Sequence, residues 1–268
     1  MLEKLQLDGR AIVVTGAGRG LGKAMAKALA EAGAAVICSA RTQAQIDETV
    51  AEINNDGGTA LAHQCDVTDS HAVDLMVERC VDEFGKIDVM VANAGGGGVW
   101  GDWKFWEYPD DAFETVLATN LKSNFYCSRA AAAHMVSRGE GGVIIHTASG
   151  TAMRGNQSFA YPTAKGGQIS LTKSTATMLA PEKIRVNTII PGFVAQREAE
   201  NDRERQERHK RGIRIPVRRL GEWWELGPLA VYLASDASSY ITGQAFIIDG
   251  GGLAGGLGPV DFVPEYAG

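Results

Sequence analysis

Tyr161 and Lys165 stand four residues apart in Tyr161-Pro-Thr-Ala-Lys165, ahead of an Ala/Thr/Leu-rich run with helical character. On a helix, positions i and i+4 share a face, so a phenol and an ammonium can serve one site. A free tyrosine titrates near ~10, too high for a useful base at neutral pH. A cation beside it favours the phenolate, so the pair predicts a Tyr161 pKa lowered by Lys165 and a phenol able to give and take a proton. Ser149, in a loop just upstream, can hydrogen-bond the same substrate oxygen. Pro162 suits a helix start, where the first amide N–H groups have no intrahelical partner. Tyr-x-x-x-Lys pairs also occur on helices with no chemistry, so the elements around this one carry the decision.

Residues 11–14 form a short apolar run, read as a buried parallel strand. It leads directly into Thr15-Gly16-Ala17-Gly18-Arg19-Gly20-Leu21-Gly22 and then an Ala-rich helix to about Ala32. Strand, glycine turn and helix make a phosphate-binding unit, because glycines admit a pyrophosphate close to the backbone and the helix N-terminus offers free N–H groups. The spacing is G-x-x-x-G-x-G, from Gly16 through Gly20 to Gly22. A second strand over 33–39 ends at Ala40-Arg41, where an acidic residue would bond a ribose 2′-OH and an arginine would accept a 2′-phosphate. Arg41, with Arg19 as a second cation, therefore favours NADPH over NADH. A helix over Gln43–Asn55, a turn at 54–58, a strand over Thr59–Gln64, an amphipathic helix over 69–84 with Asp69 or Ser70 as N-cap, and a strand over 87–92 continue the alternation. Such alternation predicts an α/β fold: a doubly wound parallel sheet, Rossmann-like, with helices on both faces.

The chain has 268 residues, enough for one well-buried domain, and neither an internal repeat nor a second-domain boundary is visible in it. Its formal net charge of -6 argues against nucleic acid as a partner, since phosphate backbones call for a basic surface. Cys38, Cys65, Cys80 and Cys127 lack metal spacing and are expected as reduced, buried thiols, with no metal site. No apolar run reaches transmembrane length and Met1-Leu-Glu-Lys lacks a signal-peptide core, so no membrane association and a cytoplasmic location are expected.

Taken in order, the motifs resemble the single-domain short-chain dehydrogenase/reductase family. They are Thr15-Gly-x3-Gly20-x-Gly22, Asp66-Val67, Asn93-Ala94-Gly95, Asn120, Ser149, Tyr161-x3-Lys165, Pro191-Gly192, Ile241-Thr-Gly-Gln244 and Asp249-Gly-Gly251, covering nearly the whole chain. The resemblance implies an oxidoreductase that interconverts a secondary alcohol and a ketone with a nicotinamide cofactor. It implies Tyr161 as acid/base, Ser149 orienting the carbonyl, Lys165 on the nicotinamide ribose, and Asn120 on the fifth helix holding a relay water. Asp66 and Val67 would meet the adenine, and Asn93, Ala94 and Gly95 would lie beside the cofactor, as would Leu21, Pro191, Gly192 and Val194. The gap from Ser149 to Tyr161 is one residue shorter than in many members, which favours Ser149 over Thr147. Where the family often has a threonine on the nicotinamide carboxamide, this chain has Gln196.

Three stretches are particular to this chain. Residues 96–108 carry three glycines and then Trp100, Trp103, Phe105, Trp106 and Tyr108, read as an aromatic wall for a substrate, with Trp100, Trp103 and Gln196 as contacts, or as plain packing. Residues 192–221 form the expected lid, its core a solvated helix with attractive pairs Glu204–Arg208 and Glu207–Arg211. A helix over 222–234 and a last strand over Ala245–Ile248 follow, then an apolar, glycine-broken tail, 252–268, expected to dock on a neighbouring subunit of a homo-oligomer, a tetramer for preference. The rival readings are a reductase of carrier-bound 3-oxoacyl chains and a non-catalytic dinucleotide-binding protein.

Overall fold

The structure, a computed structural model, describes residues 2–96, 101, 103–154 and 158–257. Seven strands, β1 (Ala11–Thr15), β2 (Ala35–Ala40), β3 (Thr59–Gln64), β4 (Val89–Ala92), β5 (Gly142–Thr147), β6 (Ile184–Pro191) and β7 (Ala245–Ile248), form one sheet in the order β3-β2-β1-β4-β5-β6-β7. Every pairing is parallel. The helices are α1 (Gly20–Glu31), α2 (Gln43–Asn55), α3 (Ser70–Phe84), α4 (Asp110–Leu117), α5 (Ser123–Arg138), α6 (Ala160–Leu179), α7 (Asp202–Gly212) and α8 (Gly227–Ala234).

The period of two along β1 divides the core. Ile12 and Val14 pack with Met25 and Leu29 of α1, Ile46 of α2 and Leu233 of α8. Ala11 and Val13 face the other way, onto Val73 and Met76 of α3 and Ala131 and Met135 of α5. A strand buried on both faces has to be apolar at every position, which is why residues 11–14 read as a continuous run. Each large apolar side chain buried this way contributes roughly 1.5–3 kcal/mol, so the sheet is a rigid base for what stands on its edge.

Helix ends follow local chemistry. The Asp69 carboxylate caps α3, accepting from His71 N at 2.9 Å, and Gly85 closes that helix at φ 76°. The helix expected over 222–234 is split into a 3-10 turn, Trp223–Leu226, and α8. Pro228 at the start of α8 has no N–H to bond back into the preceding turn, so one continuous α-helix cannot form. Within the expected lid, α7 is exposed along most of its length. Its Glu204–Arg208 pair closes at 2.8 Å, but Glu207 takes Arg203 at 3.2 Å rather than Arg211.

All four thiols are buried and free, and burial pushes Cys65 up to about 11 and Cys38 and Cys80 up to about 12. Among the described residues no helix is long and apolar enough to cross a membrane, and no cluster of metal ligands forms.

The strand order reverses between β1 and β4. Ligands of open α/β sheets bind beyond the carboxyl ends of the strands at such a switch point.

Candidate active site

Two halves meet at that edge. The first is a cradle of backbone between β1 and α1. Gly16 has φ +69°, and a Cβ on Gly22 would run into the Gly16 carbonyl and the Asn93 amide, so neither position has room for a side chain. Asn93 Nδ2 donates to Thr15 O at 3.0 Å. Thr15 Oγ1 accepts from both Asn93 N and Ala94 N at 3.0 Å and donates to Val91 O at 3.3 Å. Thr15 thus ties the end of β1 to the turn after β4, a role that sequence reading missed. Its one signal is a hydroxyl ending an apolar strand just before the glycines.

The N-cap of α1 is Arg19, extended and without a side-chain cap, so the first N–H groups of the helix face the cradle uncapped. The guanidiniums of Arg19 and Arg41 are exposed and make no ion pair among the described residues. Desolvation pushes the Asp66 carboxyl up, but hydrogen bonds from Thr68 N and Oγ1 and the charge of Arg41 outweigh it and hold it below its ordinary value. Val67 is buried beneath, and Leu21 packs at the first turn of α1 against the core.

Gln196 was expected on the substrate and the carboxamide. In the structure its side chain lies over Gly20, on the cradle, and donates to Val194 O at 3.4 Å. Gly20, at φ +56°, leaves the space that Gln196 fills. Pro191 ends β6, Gly192 N donates to Ile248 O at 2.8 Å, and Val194 bridges to Gly221. This chain of contacts aims the 192–196 segment at the cradle.

The second half is the proton-handling group. Tyr161 lies in the first turn of α6, close enough to the Ser149 hydroxyl for it to favour the phenolate. Ser149 Oγ also accepts from Thr151 Oγ1 at 3.0 Å. Thr147 is instead buried with its hydroxyl unpartnered among the described residues, so Ser149 is the one that meets the phenol. Lys165 is 3 % exposed; its ammonium lies 5.6 Å from the Tyr161 ring centroid and donates to Thr147 O at 2.8 Å.

The expected direction of the Tyr161 shift is wrong for this geometry. Burial raises the phenol above its ordinary value and the Ser149 hydroxyl only partly opposes it. Lys165 donates to the Thr147 carbonyl and lies over the Tyr161 ring, and its own amine is pulled down to about 7 by burial.

Asn120 departs from expectation as well. It lies on a π-helical turn, Ala118–Lys122, that joins α4 to α5, rather than on the fifth helix. Its carbonyl accepts from Gln168 Nε2 at 2.7 Å and Asn124 Nδ2 at 3.2 Å. Its own side chain clamps Gly96, donating to Gly96 O at 3.0 Å and accepting from Gly96 N at 3.1 Å. A Cβ on Gly95 would sit 2.8 Å from Asn120 Oδ1 and 3.2 Å from Lys165 Nζ, so this glycine lets the two approach. Behind them, His146 is fully buried between Ser128 and Thr172, each at 2.8 Å, and burial together with the Lys165 charge takes it down to about 4. No sequence signal pointed to His146, Gln168 or Thr172.

Beside Ser149 opens a cavity of about 140 Å³, lined by Thr151, Arg154, Phe193, Asp249, Leu253 and Leu257 among others. Trp103 is absent from this lining. It packs edge-on against Tyr108 at 5.3 Å, while Phe105 and Tyr108 pack on Phe159, the residue before α6, at 4.8 and 4.7 Å. Phe105 and Tyr108 therefore buttress the helix that carries Tyr161, with Trp103 behind Tyr108. Trp100 lies outside the described residues, as do tail residues 258–268.

The profile of a family described as enoyl-(acyl carrier protein) reductase matches residues 16–252. A solved structure of a short-chain type dehydrogenase/reductase from Mycobacterium marinum superposes with TM-score 0.84 at 38% identity, covering 93% of this chain and 97% of that one. This chain belongs to the short-chain dehydrogenase/reductase family. Other members lie at similar distance. The L-rhamnose 1-dehydrogenase (NAD(P)(+)) of Sphingomonas sp. is 36% identical over 91% of this chain and 96% of its own length. A 7α-hydroxysteroid dehydrogenase, solved with NADH and 7-oxo glycochenodeoxycholic acid, superposes with TM-score 0.86 at 31% identity, covering 97% of this chain and 99% of that one. The short-chain dehydrogenase/reductase reading makes a nicotinamide dinucleotide the cofactor of this chain, and the backbone cradle at Gly16 and Gly22, with uncapped helical N–H groups, fits its pyrophosphate.

Proposed function

We propose that this chain interconverts a secondary alcohol and a ketone, prefers NADP over NAD, and uses Tyr161 as its proton donor and acceptor. The observation that carries the reading is the convergence of Tyr161, Ser149 and Lys165 at the mouth of the cradle, beside a cavity able to take a small molecule. Gly16, Gly20, Gly22 and the first turn of α1 would hold the pyrophosphate; Asp66 and Val67 the adenine end; Arg41, with Arg19, the 2′-phosphate. When bound, the cofactor supplies hydride transfer. Ser149 holds the substrate oxygen, and Tyr161 gives a proton to it in reduction or takes one from it in oxidation. The buried phenol favours its neutral form, the form that donates. Lys165 and Asn120 position: Lys165 spans the Thr147 carbonyl and the Tyr161 ring, and Asn120 fixes the Gly96 turn. The substrate is a small molecule, and the assembly a homo-oligomer, a tetramer for preference, in the cytoplasm.

A reductase of carrier-bound acyl chains would need a basic docking patch. Of the lid arginines, Arg197, Arg203, Arg205 and Arg208 are each paired with a carboxylate of the same segment, which lowers the free positive charge there and favours the small-molecule reading. The test is a screen of secondary alcohols and ketones with each cofactor, followed at the nicotinamide absorbance. Turnover of carrier-bound 3-oxoacyl chains alone, or of nothing, would refute the proposal.

A further inference from the structure

The cavity beside Ser149 contains a charge for which the proton chemistry has no use. We propose that this cavity takes substrates bearing a carboxylate or a comparable oxyanion, with Arg154 as the anchor and Arg211 as a second cation brought by α7. The proposal rests on the alcohol/ketone reading and names the substrate class for that same site.

Arg154 lines the cavity together with Ser149, the residue that meets the phenol. Its guanidinium lies 5.7 Å from the centroid of the Phe193 ring, and the guanidinium of Arg211 lies 6.0 Å from the same ring. Phe193, a ring of the cavity wall, thus has two cations near it: Arg154 of the lining, from the segment after β5, and Arg211 of the lid, outside the lining. Among the described residues neither forms an ion pair. Their neighbours differ: Arg203, Arg205 and Arg208 on α7 each have a carboxylate at hydrogen-bonding distance. In a chain with 32 acidic against 26 basic residues, two unpaired arginines on one ring stand out as reserved for something outside the chain.

Among the described residues, the one carboxylate in the lining does not fill that role. Asp249 is turned onto its own loop, with Oδ1 accepting from Gly251 N at 2.9 Å and Oδ2 from Leu253 N at 2.6 Å. Away from the Ser149 and Thr151 hydroxyls, Phe193, Leu253 and Leu257 give the wall an apolar part. A hydrocarbon skeleton between the reacting carbon and the anion suits the part of the wall that Phe193, Leu253 and Leu257 form. An arginine fork bonds a carboxylate through parallel N–H···O contacts, and discrimination against the uncharged analogue follows from the unmet guanidinium. The class is therefore a hydroxy acid or oxo acid with an apolar body.

The test uses secondary alcohols carrying a terminal carboxylate, with the number of bonds between carbinol and carboxylate varied, and the primary amide of each. For the full-length wild type, kcat/KM for the best acid should exceed that for its amide by about tenfold or more. Arg154→Gln should bring this ratio close to one, Arg211→Gln should lower it less, and Arg154→Lys should restore part of it. Equal use of acid and amide by the wild type, or a ratio untouched by Arg154→Gln, overturns the proposal. Calorimetry with hexanoate and hexanamide separates the two levels of the argument. If no alcohol is turned over, the activity reading falls, and this inference is then decided by binding: hexanoate bound by wild type and lost in Arg154→Gln supports it, while equal binding by both proteins overturns it.

Discussion

The cradle at the ends of β1 and β4 and the cavity beside Ser149 lie on the same edge of the sheet and are built by opposite means. In the cradle the functional surface is backbone. Gly16 and Gly22 are there to keep side chains out, and the Thr15 and Asn93 side chains each bond the other residue's main chain and so fix the two backbones. In the cavity the surface is side chains, brought from the segments after β5, β6 and β7. A backbone site serves the part of a ligand that never varies. A side-chain site can be rewritten one residue at a time without disturbing the sheet. The division predicts that cofactor handling tolerates little change, and that substrate choice lies with Arg154, Phe193 and the two leucines.

The largest effect should fall where the two halves meet. Tyr161→Phe keeps the ring that packs with Ala160, Ala164 and Phe113 and removes only the hydroxyl. Turnover should drop by roughly a hundredfold to ten-thousandfold, the usual contribution of a positioned acid/base. Cofactor affinity, measured by fluorescence titration, should hardly change. Substantial residual turnover would mean that another group handles the proton and that the halves are less separate than the geometry indicates.

At the rim of the cradle a side chain does enter the cofactor site, and this is where the backbone rule should break. Arg41 is exposed and free of ion pairs among the described residues. Losing a charge-assisted contact to phosphate costs ~1.5–3 kcal/mol, or roughly ten- to a hundredfold in affinity. Arg41→Ala should weaken NADPH by that factor and leave NADH almost unchanged. Tighter binding of NADH than of NADPH by the wild type would move the cofactor choice elsewhere.

Legibility follows the same division. Glycines required by φ and close approach can be read one after another, because the constraint and the residue share a position. The sheet was legible for a related reason: both-face burial of β1 writes itself as an apolar run. The cavity could not be read this way. Arg154, Phe193 and Leu253 meet only through the strand order, and nothing local marks an arginine that lacks a partner. The π turn at Asn120 carries no composition signal either, and the upward shift of Tyr161 depends on burial, which a Tyr-x-x-x-Lys spacing does not encode. Gln196 was placed by analogy of position, and packing moved it to Gly20.

Lys165 gives a pH test. Its amine is near 7 in the folded chain and about 10.5 when free, so burial disfavours the charged form. Below about pH 7 both states carry the proton, and the full cost of burying the charge is present. Between about 7 and 10.5 the unfolded chain binds more protons than the folded one, so this group makes stability rise with pH. Denaturant midpoints of the wild type should therefore gain on those of Lys165→Met between pH 7 and pH 9, by on the order of 1–3 kcal/mol. Parallel curves would show that Lys165 keeps its proton through this range, held by the Thr147 carbonyl.

The smallest expected effect tests whether the aromatic loop belongs to the side-chain half at all. Phe105 is 71% exposed yet meets Phe159 edge-on at 4.8 Å, and Phe159 also meets Tyr108 and stacks on Phe113 at 5.9 Å. An aromatic pair of this kind is worth ~0.5–1.5 kcal/mol beyond the area it covers. Because Phe159 immediately precedes α6, what the pair stabilises is the turn that presents Tyr161. Phe105→Ala should then lower thermal stability slightly and reduce kcat a few-fold, with KM for the alcohol unchanged. Trp106, 77% exposed and touched mainly by Lys104 at 5.6 Å, should tolerate alanine with no change in either constant. A KM that rises in the Phe105 variant while kcat holds would put the ring against the substrate, and the loop would have to be counted as a wall of the cavity after all.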